Sequence, residues 1–368
     1  MTTTDVDRIR ISAPDDLIEA IPYLLGFHPT DSVVLVGFAG PGPMLGTARN
    51  VAVALRIDLP TQPVEPGDLH QLTDALARSE VTAVVCVLFV PGHGLDAATR
   101  EGYEQLVAPI GRQLSSVGVE LMDVLLAGED RWWSLLCSDS RCCPPEGAAR
   151  ALGCSLAAAQ ATVAGLVALD SRAELAAHLD GLPADQRHRL DPQLAQAENR
   201  VTGALLANGL RRLRRADTAA LLKAAARFAD SHPCRGDIEP GTARPSMPRL
   251  SARQTARFGV ALTDLTIRDD VWLAIDEQSV DASSLLRDLI RRLPEPYDAA
   301  PLFLYGWQQW RDGNGALACM AAQRALASDR GCSAAALLIS AVENGLNPRT
   351  TPTLREIPDP AAGTSGGD

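Results

Sequence analysis

Aromatic side chains are scarce in this chain. Only 4% of its 368 residues are Phe, Trp or Tyr, against 46% hydrophobic overall. The core must therefore be built mostly of Ala, Leu and Val, and any clustering of the five Trp stands out. Long apolar runs are missing too. The longest, Val81 to Val90, is interrupted by Thr82 and falls well short of the roughly 20 residues a bilayer span needs, which excludes that class of membrane protein. Positive charge is in deficit, with 34 Lys and Arg against 45 Asp and Glu, a net charge of −11 and a pI near 5.1. That balance argues against broad binding to nucleic acid or to anionic membranes. The first residues carry Asp5 and Asp7 where a secretory signal would carry basic residues followed by an apolar run. A soluble, cytoplasmic protein is expected. In a reducing compartment the eight Cys should serve as thiols or metal ligands rather than as structural disulfides.

The length allows two domains. Residues 1–150 alternate strand and helix signals: a short strand at Arg8 to Ser12, then a helix begun by a Ser12/Asp15 capping box with Pro14 in its first turn. Leu17, Ile21, Leu24 and Leu25 share a face of that helix, Pro22 should kink it, and Gly26 is placed to end it. Strands follow at Ser32 to Phe38 and Val51 to Ile57, linked through Pro41, Gly42 and Pro43, then a helix over about 66–79 and the buried strand Val81 to Val90. After a helix over about 97–117, Glu120 to Leu126 and Trp132 to Cys137 read as strands joined by a turn at 128–131. The pattern predicts an α/β domain with a mixed sheet, helices covering its faces.

Beyond residue 150 strand signals almost vanish. Residues 151–347 read as an all-α region with a long loop at 231–249, and 348–368 as a disordered tail. Near the end, Leu302, Gly306, Gly313, Ala318, Ala322, Ala325 and Leu326 fall at spacings resembling a tetratricopeptide-like helical hairpin, although close packing of two ordinary helices asks for the same small residues.

Residues 131–147, Arg131-Trp-Trp-Ser-Leu-Leu-Cys137-Ser-Asp-Ser-Arg-Cys142-Cys143-Pro-Pro-Glu-Gly147, concentrate two of the five Trp and three of the eight Cys. Together with Pro22-Tyr-Leu-Leu-Gly-Phe-His-Pro-Thr-Asp-Ser32 and Arg56-Ile-Asp-Leu-Pro60, this block resembles the actinobacterial domain of unknown function 4192 (DUF4192). Gly306-Trp-Gln-Gln-Trp310 and Asn314-Gly-Ala-Leu-Ala318 extend the likeness to about Asn347. The resemblance implies a cytoplasmic setting in high-GC Gram-positive bacteria, in keeping with the Arg-rich, Lys-poor composition. It implies no activity and no catalytic residue.

Cys137, Cys142 and Cys143 are candidate thiol or metal ligands, because thiolates separated by a few loop residues are the usual zinc donors. There is no second paired motif and no nearby His. His28, His93 or Cys154 would have to supply a fourth ligand, and neighbouring Cys142 and Cys143 do not easily share one ion. Packing in a turn stiffened by Pro144 and Pro145 is the stronger expectation, so no metal is assigned and zinc stays a secondary reading. Arg141 beside Cys142 is placed to lower a thiol pKa. Trp132 and Trp133 point to opposite faces of a strand and, with Trp307 and Trp310, are candidate interface anchors, although a structural role for both Trp132 and Trp133 is the stronger expectation.

The loop after the first helix offers His28, Asp31 and Ser32 as a polar site, although chain punctuation is the stronger expectation. Arg56 and Asp58 share one face of a later strand and either bind a polar ligand or pair with each other. Gly92-His93-Gly94 follows a buried strand and precedes a helix but lacks the G-x-G-x-x-G fingerprint, and Asp96, read as the helix cap, would repel a phosphate. The stretch Gly37 to Gly46 leads into a strand and so lacks the context of a dinucleotide loop. Arg211, Arg212, Arg214 and Arg215 form the one basic island, best read as a solvated helix face. The leading expectation is a non-catalytic interaction or regulatory protein with a protein partner and neither nucleic acid nor membrane. The alternative is a small-molecule-binding protein or enzyme with its pocket near the 26–32 loop and the Cys block.

Overall fold

The computed structural model describes residues 11, 13–40, 50–62, 73–92, 95–150, 152, 155–163, 166–230 and 248–357. The strand expected at Arg8 to Ser12, the link at Pro41 to Pro43, most of the 37–46 stretch, His93, Gly94, Cys154 and most of the 231–249 loop lie outside these residues. Of the helix expected over 66–79, the described residues 73–78 are helical. The chain divides into two compact units. One comprises Met1–Leu175 with Glu343–Asn347, the other Ala176–Val342 with Pro348–Asp368. The division falls after residue 150, where strand signals stop, because helical residues up to Leu175 belong with the sheet.

The first unit is built on a six-stranded mixed sheet of order β2-β1-β3-β4-β5-β6. Its strands are β1 (Ser32–Ala39), β2 (Asn50–Asp58), β3 (Ala83–Phe89), β4 (Glu120–Ala127), β5 (Arg131–Ser134) and the two-residue β6 (Ala148–Ala149). Every neighbouring pair is antiparallel except β3 and β4. A parallel pair needs a long crossover, and helix α2 (Ala97–Ser116) supplies it. Asp96 caps that helix by accepting from the Thr99 amide at 2.7 Å, which holds its carboxyl below the usual range. β1 and β3 are buried along nearly their whole length, as expected of continuous Val-rich runs covered on both faces. Leu35, Leu88, Ile110, Leu114, Leu126 and Trp133 lie in one core between the sheet and α2.

Helix α1 (Pro14–Leu25) begins one residue later than the expected capping box. Its N-cap is Ala13, whose amide donates to Asp16 Oδ2 at 3.2 Å; Asp16 rather than Asp15 is the acceptor, and Ser12 is outside the described residues. Gly26 ends α1 at φ 82°, a left-handed position that glycine adopts without a Cβ penalty. Buried Glu19 projects from α1 to meet Arg150 just after β6, at 2.8 Å, and the same guanidinium donates to the Gly128 carbonyl. Helices α3 (Leu156–Val163), which packs on α1, and α4 (Arg172–Ala177) follow.

The secondary-structure elements of the second unit's described residues are all helices. It contains α5 (Ala184–Arg187), a 3-10 turn at His188–Leu190, α6 (Asp191–Leu206), α7 (Leu210–Asp230), α8 (Ala252–Leu262), α9 (Leu265–Asp276), α10 (Ser283–Arg292), α11 (Ala299–Arg311), α12 (Gly315–Ser328) and α13 (Ser333–Glu343). Helix α11 is buried on all sides, so it forms the centre of this unit. Around it Trp272 meets Phe303 and Trp307 edge-on, with centroids 4.8 and 4.9 Å apart, and Trp307 lies 4.9 Å from Trp310. Three of the five Trp are thus gathered in one cluster. α11 and α12 pack closely: a Cβ on Gly306 would sit 3.0 Å from the Ala318 carbonyl oxygen and 3.2 Å from the Ala321 Cβ. That contact accounts for Gly306 and Ala318 among the small residues of the repeat-like spacing.

Residues 348–357, placed by composition in a disordered tail, are held. Arg311 donates to the carbonyls of Pro348 and Thr351 at 2.9 Å and of Pro352 at 3.1 Å, while buried Asp276 accepts from the Leu354 amide. The anchoring groups are backbone carbonyls and one amide, which composition does not register.

Candidate functional site

The loop between β5 and β6 carries the Cys block, and the local chemistry explains its shape. Asp139 makes a turn by accepting from the Arg141 amide at 2.9 Å, and its carbonyl accepts from the amides of Cys142 at 3.1 Å and Cys143 at 2.8 Å. Neighbouring residues on such a helix-like turn do not alternate as they do on a strand, so Cys142 and Cys143 can present their sulfurs to the same side. Cys137 approaches them from the end of β5. Its amide donates to Ser134 Oγ at 3.0 Å, and that hydroxyl donates to Asp123 Oδ1 on β4 at 2.7 Å. The resulting Sγ–Sγ distances are 3.2 Å for Cys137–Cys142 and 3.6 Å for Cys142–Cys143, and all three sulfurs lie within 4.8 Å of one another. This turn brings the sulfurs of Cys142 and Cys143 to one side, 3.6 Å apart, although the two residues are chain neighbours.

The far side of the loop is fixed by Trp133. Its indole Nε1 donates to the Pro145 carbonyl at 3.2 Å, and Gly147 lies against its face so closely that a Cβ would come within 2.5 Å of the ring. Packing does not account for the cysteines themselves. Cys142 is exposed, and Cys137 and Cys143 are half-buried, on a residue type that is among the most often fully buried.

The three thiols titrate together. Hydrogen bonds from Cys142 and Cys143 and from the Asp139 backbone hold Cys137 below the ordinary thiol value. Cys142 is raised because its proton is shared with Cys137, and desolvation with the same sharing pushes Cys143 up to about 12. Arg141 does not act as expected from its position. Its guanidinium is engaged by Asp139 at 2.9 Å and 3.1 Å, and the lowered thiol is Cys137. Among the described residues no fourth His, Cys, Asp or Glu joins the three sulfurs, His28 included.

The other candidates separate into two groups. Ser32, Arg56 and Asp58 come together: Arg56 Nε donates to Ser32 Oγ at 2.8 Å and its Nη1 pairs with Asp58. The Ser32 hydroxyl in turn donates to the Thr30 carbonyl at 2.6 Å. Asp31 holds a left-handed φ of 44° and accepts from the Leu59 amide through its carbonyl, which fixes the start of β1 against the end of β2. His28 has an exposed ring, and its amide donates to the Leu169 carbonyl at 2.8 Å. The loop thus acts as chain punctuation and as an internally satisfied pair of strand ends.

Trp132, Trp133, Trp307 and Trp310 are buried within their own units, 8%, 3%, 7% and 3% exposed, and none offers its ring as an interface anchor. Both faces of β5 are covered, so the opposed Trp132 and Trp133 are each enclosed. In the basic island Arg214 pairs with Asp264 at 2.7 Å, while Arg211, Arg212 and Arg215 are exposed. Sequence reasoning passed over Asp217, which is 1% exposed and bound by Arg200 and Arg257. No spacing signal marks it, since its partners lie 17 and 40 residues away.

A mixed-sheet unit with an ordered trithiol loop, followed by a helical unit, is the class of protein this geometry defines. The chain belongs to the family described as Domain of unknown function (DUF4192), whose match covers residues 14–349. No curated protein and no solved structure matches it. Among the described residues no helix is long and apolar enough to cross a membrane.

Proposed function

We propose that this is a non-catalytic regulatory protein of the cytoplasm, in which the chemical state of the Cys137, Cys142 and Cys143 cluster sets the conformation of the β5–β6 loop and so the surface offered to a protein partner. The observation that carries the reading is the convergence of three solvent-accessible sulfurs on a loop fixed on both sides, through Ser134 and Asp123 on one and through Trp133 and Gly147 on the other. A thiol cluster of this kind is maintained in a reducing compartment. The net charge of −11 disfavours nucleic acid as the partner.

The alternative, an enzyme or small-molecule binder using the 26–32 loop, draws on Ser32, Arg56 and Asp58. Those groups satisfy one another's hydrogen bonds and leave less for a ligand. Hydrogen-exchange mass spectrometry on the full chain, with thiols reduced and then oxidised or blocked, tests the proposal. Changed protection across residues 131–149 and a neighbouring surface is expected. Identical exchange in every thiol state would overturn it.

A further inference from the structure

We infer that Cys137, Cys142 and Cys143 form a binding site for one thiophilic divalent cation of the zinc class, held by three sulfurs with its fourth position open to solvent. The inference deepens the thiol-cluster reading above and rests on it.

Geometry is the first argument. Metal–sulfur bonds of about 2.3 Å put sulfurs about 3.8 Å apart in a tetrahedral site and about 4.0 Å apart in a planar one. The separations here are 3.2 and 3.6 Å, with the third inside 4.8 Å, so an ion enters after shifts of no more than about 1 Å. Exposed Cys142 leaves the open position facing water.

Number is the second argument. A disulfide uses two sulfurs and leaves the third without a role, and a Cys142–Cys143 bond would join chain neighbours. Packing would bury the sulfurs, and it does not.

Preorganisation is the third. The amides of all three loop cysteines except the sulfur atoms' own groups are already engaged: Cys137 N–H by Ser134 Oγ, and Cys142 and Cys143 N–H by the Asp139 carbonyl. These amide contacts fix the backbone that carries the sulfurs, as second contacts orient metal ligands. Softness decides the class of ion, since thiolates select zinc-like and softer ions over Mg²⁺ and Ca²⁺. The chemistry is ligand exchange without electron transfer: three S–H bonds break, three metal–sulfur bonds form, and three protons leave to solvent.

The test is native mass spectrometry on the reduced full chain titrated with Zn²⁺, repeated with Cd²⁺ while following the thiolate-to-metal charge-transfer absorption. One ion per chain is expected, unaffected by excess Mg²⁺, with at least a tenfold loss of affinity in Cys137→Ser and in Cys142→Ser. The control Cys319→Ser, in the helical unit, should bind as the parent does. Matching thermal midpoints for the variants show that they fold, which surface serines should allow. Failure to bind either ion, or binding retained in both cluster variants, would sink the cation site. If the ion fails to bind but oxidation still alters exchange across 131–149, only the cation site falls; if neither has an effect, the thiol-cluster reading falls with it.

Discussion

The indole Nε1 of Trp307 donates to Asp276 Oδ1 at 2.9 Å, placing a buried carboxylate at the heart of the helical unit's aromatic cluster. Arg311 reaches the same oxygen through Nε at 2.7 Å, and its guanidinium stands 5.1 Å from the Trp310 ring centre. One anion thus fixes an indole and a guanidinium, and with its second oxygen the amide of Leu354. Asp276→Ala should cost about 3–5 kcal/mol, because it leaves Arg311, only 6% exposed, as a buried charge without its partner. Denaturant unfolding of the full chain reads the loss, and faster amide exchange at Leu354 should accompany it. An unchanged midpoint would show that Arg311 finds another anion.

Gly147 is the point where the Cys loop returns to the sheet. Gly147→Ala meets two penalties, a left-handed φ of 83° and a Cβ driven into the Trp133 ring. Together they should destabilise by about 2–4 kcal/mol. The control is Gly92→Ala, also at positive φ but with open space around its Cβ, which should lose only the backbone part. Equal losses in the two variants would remove Trp133 as the cause.

Asp298 gives a pH dependence of stability. It is buried and its carboxyl is raised, chiefly by desolvation, against a lowering hydrogen bond from Ser328. Between its ordinary value of 3.8 and the raised folded value, the native state keeps a proton that the unfolded state has lost. Stability from this group is therefore present in full below the ordinary value and falls as pH rises through the raised one. Asp298→Asn should flatten that part of the stability–pH curve, as measured by thermal midpoints across the acid range. A variant curve parallel to the parent's would contradict the assignment.

The thiols should differ in reactivity along a pH series. Cys137, held low by donated hydrogen bonds, should be alkylated first as pH rises toward the ordinary thiol value of about 8.5, and Cys143, pushed up to about 12, last. Peptide mapping after brief exposure to iodoacetamide gives the order directly. First labelling at Cys143 would reverse the proton arrangement described for the cluster.

Much of the sheet unit is legible in the chain. Val33 to Val36 and Val84 to Val87 are β-branched-rich runs that only a strand covered on both faces explains, and Asp96 and Gly26 mark helix ends through side-chain chemistry and its absence. What resists reading depends on backbone groups. Cys142 and Cys143 share a side because the Asp139 carbonyl takes both their amides, and residues 348–354 are held because Arg311 selects carbonyls. Neither leaves a residue-type signature. The start of α1 was misplaced for a related reason, since Ala13 caps through its own amide and Asp16. For the four Trp named as candidate anchors, chain position alone does not tell an enclosed indole from an exposed one; all four are enclosed, as the structural alternative for Trp132 and Trp133 expects.

The short segment Glu343–Asn347 belongs with the sheet unit although it follows nearly all of the helical one. There Arg78 Nη2 donates to Asn344 Oδ1 at 2.6 Å and Ser79 Oγ to the Gly345 carbonyl at 2.9 Å, each across 266 positions of chain. During synthesis the sheet unit therefore receives its last piece only after residues 176–342 of the helical unit have been made, and only the stretch from Pro348 onward follows it. A fragment cut at Leu175 would lack its closing piece, and supplying 343–347 through a short engineered connection is the way to obtain that unit alone.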